Sequence, residues 1–173
     1  VDMDTLVDVF SRIIQCKTVS YYDHSLEDES EFDKLVAMLP ELYPQVYKAC
    51  TLTRLDGRAL LYKWPGREPG NPAVLMAHYD VVPVEEDEWD HDPFCGEVID
   101  GVLWGRGCLD TKVTFNGVLF SANVLIAEGF VPEHDVYFAF SGGEEVSGIG
   151  AVKIVDWFVE QLNTLTGCNI AHS

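Results

Sequence analysis

The 173-residue chain carries 11 basic against 29 acidic residues, a formal net charge of −18. That balance repels phosphate backbones, and no basic stripe offsets it, which speaks against nucleic acid as a partner; the absence of any apolar run of 18 or more residues excludes a membrane span. With 47% hydrophobic residues and a mean hydropathy of +0.04, the composition is that of a folded domain with one core. The five cysteines, Cys16, Cys50, Cys95, Cys108 and Cys168, are odd in number and contain no C-x-x-C pair. They read as reduced, buried thiols of a cytoplasmic protein, although a start at Val1 rather than Met leaves room for a removed signal peptide.

In chain order, Leu6, Val9, Phe10, Ile13 and Ile14 fall at helical spacing behind Asp2 or Asp4, either of which can cap. A second helix aligns Phe32, Leu35, Val36 and Leu39, with Asp28 and Glu31 at capping-box spacing and Pro40 predicting an end or kink nearby. Val46 to Thr53 and Ala59 to Trp64 read as strands around the turn Asp56-Gly57. The Pro- and Gly-rich stretch from Trp64 to Pro72 is a loop. Ala73 to Ala77, apolar on both faces, is predicted as a buried central strand. Residues 80–95 are acidic and irregular, and Glu97 to Trp104 is a hairpin turning at Asp100-Gly101. A long helix follows from about Thr111 to Glu128, stopped by Gly129 and Pro132. Val136 to Phe140 is another strand, and a last helix carries Val152, Val155, Phe158, Val159 and Leu162. Strands interleaved with helices predict an α/β fold, a three-layer sandwich around a mixed, partly parallel sheet.

Three polar clusters follow strands or hairpins, where α/β sheets gather functional groups. In His78-Tyr-Asp80-Val-Val-Pro83 the histidine and aspartate stand two apart, so an extended chain points both to one side. A carboxylate beside a metal-binding imidazole can hold its tautomer; the ordinary alternative is a histidine that merely ends a strand in a hydrogen bond. In Gly105-Arg-Gly-Cys-Leu-Asp110-Thr-Lys112, Asp110 precedes a helix. It can cap that helix, or its two oxygens can bridge a pair of cations. In Ser141-Gly-Gly-Glu144-Glu145-Val-Ser-Gly148, flanking glycines suggest a constrained turn, unlike the solvated pair Glu85-Glu86. One histidine and several carboxylates form a donor set suited to zinc and, less selectively, to cobalt or manganese. No G-x-S-x-G turn, P-loop or G-x-G-x-x-G competes with it.

These motifs, together with Trp89-Asp-His-Asp-Pro-Phe94, stand in the order and spacing of a zinc family. It comprises aminoacylases, acetylornithine deacetylase, succinyl-diaminopimelate desuccinylase and carboxypeptidases. Tyr62-Lys-Trp-Pro-Gly66, Trp104-Gly-Arg-Gly107 and Gly129-Phe-Val-Pro132 most resemble its carboxypeptidase S branch. The resemblance covers roughly residues 4–155. It implies that His78 ligates one zinc, Asp110 bridges two, Glu145 ligates the other, Glu144 is the general base toward the attacking water, and Asp80 orients His78. The implied activity is hydrolysis of a peptide or N-acyl amino acid at the amide next to a C-terminal amino acid.

Where many relatives carry an acid just before the Glu-Glu pair, this chain has Gly143, a position that neither implied role uses. The family also takes a further carboxylate and a last histidine downstream and inserts a lid that mediates homodimers. Residues 1–173 therefore read as the N-terminal portion of a catalytic domain, a fragment expected to bind metal weakly and turn over little. His172 at the terminus, and His24, His91 and His134 in loops, lack the surroundings of the missing ligand. Two other readings stay open: a non-catalytic module that self-associates through an exposed sheet edge, and a single-metal hydrolase using His78, Asp110 and Glu145 with water.

Overall fold

A computed structural model describes residues 2–166. Helix α1 (Met3–Ile14) starts where the Asp2 carboxylate accepts the Asp4 amide at 3.2 Å, and it buries Val9, Ile13 and Ile14. Helix α2 (Glu29–Leu42) is capped in the same way, Asp28 accepting from the Ser30 amide at 3.0 Å. The reciprocal half of the expected capping box is not made, because the Glu31 carboxylate instead accepts the Lys17 amide at 2.8 Å. Pro40 sits in the last turn, and the helix ends two residues later.

The strand expected from Val46 is corrected at its start. Pro44–Ala49 forms a short helix, α3, and only Thr51–Leu55 is strand, β1. Proline favours the first helical position, where its missing N–H costs nothing. Val46 is fully buried, and Asn123 accepts the Gln45 amide at 2.8 Å. A tertiary partner thus helps hold the β-formers Val46 and Tyr47 helical against their local preference.

Strand β2 (Ala59–Trp64), strand β3 (Ala73–His78), the two-residue hairpin arms β4 (Val98–Ile99) and β5 (Val102–Leu103), helix α4 (Lys112–Ala127), strand β6 (Val136–Ser141) and helix α5 (Ile149–Thr166) are the remaining strands and α-helices among the described residues. The main sheet has the order β1-β2-β6-β3. β1, β2 and β6 run antiparallel in turn, and β3 lies parallel to β6. Alternation along the strands divides the core. Leu60, Tyr62, Phe138 and Phe140 join Ile13, Leu35, Leu39, Phe115 and Leu119 on the face covered by α1 to α4. Ala59, Leu61, Tyr137 and Ala139 meet Ile154, Trp157 and Phe158 of α5 on the other. Helices on both faces make the expected three layers, and each large side chain fully buried here contributes roughly 1.5–3 kcal/mol.

β3 is not the buried central strand its composition predicts. Among the described residues it lies at the edge of the sheet, and Val74, Leu75 and Met76 are 44%, 44% and 63% exposed. An apolar run shows that both faces of a strand favour burial, but not what lies beside it. No helix among the described residues is long and apolar enough to cross a membrane.

Candidate metal centre

Parallel strands end at the same rim of a sheet. β3 and β6 pair in a register that sets His78 opposite Ser141, so the segments 78–80 and 142–145 leave the sheet side by side. The hairpin β4–β5 and the loop after it bring Asp110 in from the N-terminal side of α4; the Asp110–Thr111 peptide is cis. Gly142 makes the approach of the two segments possible, since a Cβ there would lie 2.7 Å from ring atoms of Tyr79.

Asp80 is the hub of the rim. It is completely buried, and one carboxylate oxygen accepts the Ser20 hydroxyl at 2.8 Å and the Glu145 amide at 3.1 Å. The other accepts the Glu144 amide at 3.1 Å and lies 3.4 Å from His78 Nδ1. Burial works against the ionised form, but the bonds from His78, Ser20 and the two amides outweigh it and hold the carboxyl below its ordinary range. Segment 18–20 braces the same stretch. The Thr18 hydroxyl donates to the Tyr79 carbonyl at 2.6 Å, and the Val81 amide donates to Thr18 at 2.9 Å.

His78 Nδ1 also lies 3.0 Å from the Asp80 carbonyl oxygen. A proton on Nδ1 directed at Asp80 leaves Nε2 facing outward, toward Asp110 Oδ1 at 3.2 Å and Glu144 Oε2 at 3.7 Å. Burial disfavours the charged ring, yet the hydrogen bonds and charge of Asp80 and the charge of Glu144 prevail, raising the histidine to about 9. Glu145 is shifted upward by burial first; His78 opposes this, and the carboxylates of Asp110, Asp80 and Glu144 reinforce it. One ligand atom from each of His78, Asp110 and Glu145 lies within 4.8 Å of the others, a group able to hold a metal ion. The donor chemistry fits: one imidazole among several carboxylates concentrates negative charge that a divalent cation offsets. Beside the donors lies a hollow of about 320 Å³, floored by Met76, Ala139 and Ile154.

The rim therefore brings together all five residues singled out in the sequence: His78, Asp80, Asp110, Glu144 and Glu145. The other histidines lie elsewhere. His24 pairs with Glu27 at 3.1 Å, His91 packs edge-on to Trp104 with ring centroids 4.5 Å apart, and His134 stands near the Glu68 carbonyl; His172 falls outside the described residues. Ser20 escaped the sequence reading, since nothing marks a serine 60 positions from the aspartate it serves. Lys112, in the same motif as Asp110, is fully buried and turns away from the rim, its Nζ donating to Ile13 O at 3.2 Å and Cys16 O at 2.7 Å. It caps carbonyls at the end of α1, and burial, the dominant influence, lowers its amine to about 8.

The family model described as peptidase family M20/M25/M40 matches residues 74–172. The chain belongs to that family. Within it, the chain is 37% identical over 147 residues to the probable carboxypeptidase S-like 2 of Dictyostelium discoideum, covering 82% of this chain and 28% of the relative. It is 34% identical over 160 residues to the N-fatty-acyl-amino acid synthase/hydrolase PM20D1.1 of Danio rerio, covering 88% and 30%. The fold matches human carnosine dipeptidase 1 with a TM-score of 0.72 at 17% identity, over 92% of this chain and 36% of that one. It also matches the Bacillus subtilis YXEP protein, described as a dinuclear metal binding peptidase from the M20 family, with a TM-score of 0.58 at 20% identity, over 92% and 41%. The chain thus spans less than a third of the length of the two curated relatives.

Proposed function

We propose that this chain carries the first part of a two-zinc amide-hydrolase site. His78 would hold one cation, Asp110 would bridge both, and Glu145 would hold the other; cobalt or manganese suits the same donors. The observation that carries the reading is the approach of these three donors to within 4.8 Å of one another next to a further carboxylate, Glu144, whose Oε2 lies 3.7 Å from His78 Nε2. A bound divalent cation supplies polarisation of a carbonyl and a water whose pKa falls toward about 7.

The chain's own residues do the rest. Asp80 holds the Nδ1 proton of His78 and so presents Nε2 as a lone pair. By accepting the amides of Glu144 and Glu145, it also fixes the turn that aims both glutamates. Glu144, whose side chain is 53% exposed, accepts a proton from the attacking water and returns it to the departing amine nitrogen. The names of the two relatives support a substrate class: a peptide or N-acyl amino acid, cleaved at the amide next to a C-terminal amino acid. With three donor residues among those described to share between two cations, this chain should bind metal weakly and show little turnover.

The test is cation titration of this chain, together with hydrolysis assays on a chain of the relatives' full length using N-acyl amino acids and dipeptides. In the longer protein, Glu144→Gln should keep its metal and lose turnover by about 10²–10⁴-fold, the range for removing a general base. Loss of metal instead would mean the two glutamates have exchanged roles. A full-length chain that hydrolyses neither substrate class would sink the proposal.

A further inference from the structure

Arg58 lies in the turn between β1 and β2, remote in sequence from the metal centre, yet it touches both segments that form the rim. Its Nη1 donates to the Gly142 carbonyl at 3.1 Å. Its Nη2 donates to Glu27 Oε2 at 2.6 Å and also bonds Glu29, which Nε reaches at 3.2 Å. The guanidinium lies over the ring of Phe32, 3.7 Å from the centroid. From the opposite end of the residue, the Arg58 carbonyl accepts the Tyr79 hydroxyl at 2.7 Å. Tyr79 stands between His78 and Asp80, and Gly142 packs against its ring.

The anchors are firm. The Glu27 side chain is 2% exposed and also accepts the Tyr21 amide at 3.0 Å, so the guanidinium is tied to a buried carboxylate on one side and to Gly142 on the other. A planar fork with donors in several directions can hold both at once, whereas the single ammonium of lysine cannot reproduce that geometry. Gly142 is two residues from Glu144. Beyond it the turn closes on itself, the amides of Ser147 and Gly148 donating to the Gly143 carbonyl at 3.1 and 2.9 Å.

We propose that Arg58 is a positioning residue for the metal centre: it holds the Gly142 carbonyl, and with it the turn whose Glu144 and Glu145 amides bind Asp80. The proposal rests on the reading of Glu144 and Glu145 as the working carboxylates, and it assigns Arg58 no contact with substrate. A residue that only adds global stability and one that sets this turn differ in a measurable way. Loss of the first accelerates hydrogen exchange wherever exchange needs whole-molecule unfolding, while loss of the second opens one turn ahead of the core.

The experiment is amide exchange by NMR on the ¹⁵N-labelled chain and its Arg58→Met and Arg58→Lys variants, with cobalt titration of each. In Arg58→Met, the Glu144 and Glu145 amides should exchange about tenfold or more faster relative to core amides such as those of Leu61 and Phe138. Cobalt affinity should drop by a similar factor. Arg58→Lys keeps a charge beside Glu27 but not the fork, and should move both readouts in the same direction; it decides the matter if the methionine variant does not fold. A folded variant in which the two amides stay within about twofold of their native rates, relative to the core, would overturn the proposal. If the native chain binds no cobalt at all, it is the metal-centre reading that fails, and the amide rates still decide whether Arg58 sets the turn.

Discussion

Replacing Asp80 by asparagine keeps the shape of the side chain and changes the chemistry of one atom at the junction of the two rim segments. Asp80 is completely buried and accepts the Glu144 amide on one oxygen, and the Glu145 amide and Ser20 hydroxyl on the other. Asparagine has one acceptor and one NH₂ group, so whichever way its amide turns, the NH₂ faces a backbone N–H. One bond to a charged acceptor is lost, a buried donor is stranded and the remaining bonds become neutral ones, together about 2–4 kcal/mol. In a chain of this size each kcal/mol lowers the melting midpoint by about 2–4 °C, so Asp80→Asn should melt about 4–16 °C below the native chain. The assay is thermal unfolding by circular dichroism at neutral pH without added metal, with Ser20→Ala as comparison. Ser20→Ala removes one donor and leaves both amides satisfied, so it should cost less. A midpoint for Asp80→Asn within about 1 °C of the native chain would refute the argument that this carboxylate ties the segments together.

Two further outcomes follow from the same geometry. Glu27 is buried, which opposes ionisation, but the Tyr21 amide, Arg58 and His24 together hold its carboxyl below the ordinary 4.5. A lowered folded value means its contribution is complete above that ordinary value and lost as pH falls through the folded one. The stability gap between the native chain and Glu27→Gln, read by denaturant unfolding, should therefore narrow on acidification below about pH 4.5; a gap that stays constant or widens would contradict the sign. Gly142→Ala would place a methyl 2.7 Å from the Tyr79 ring. It should cost about 1–3 kcal/mol in the same unfolding experiment and weaken cobalt binding as well, whereas an unchanged midpoint would mean the two segments are packed less closely than described.

Much of the architecture was legible because it depends on neighbours in the chain. Asp2 and Asp28 announce helix starts through side chains that reach amides two residues on, and Leu35 and Leu39 share a face by helical repeat alone. The positions of His78 and Asp80, two apart beyond a strand, and of Glu144 and Glu145 beyond another, were visible for the same reason. What misled was local character overruled at a distance. Residues 46–49 look like strand, but Pro44 and the bond from Gln45 to Asn123 make them helix. Ala73 to Ala77 look like the centre of a sheet but form its described edge.

By itself, the sequence determined which residues are the candidates for the chemistry, in what order, and on what kinds of element, because spacing and turn residues act within a few positions of the chain. Only the tertiary structure decided that β3 runs parallel to β6, which is what carries 78–80 and 142–145 to one rim. It alone decided that Ser20 and Arg58, 60 and 84 positions from Asp80 and Gly142, complete the arrangement. Such contacts depend on which strands pair and in what register. That choice is made by burial of the whole sheet between its helices, and no local pattern encodes it.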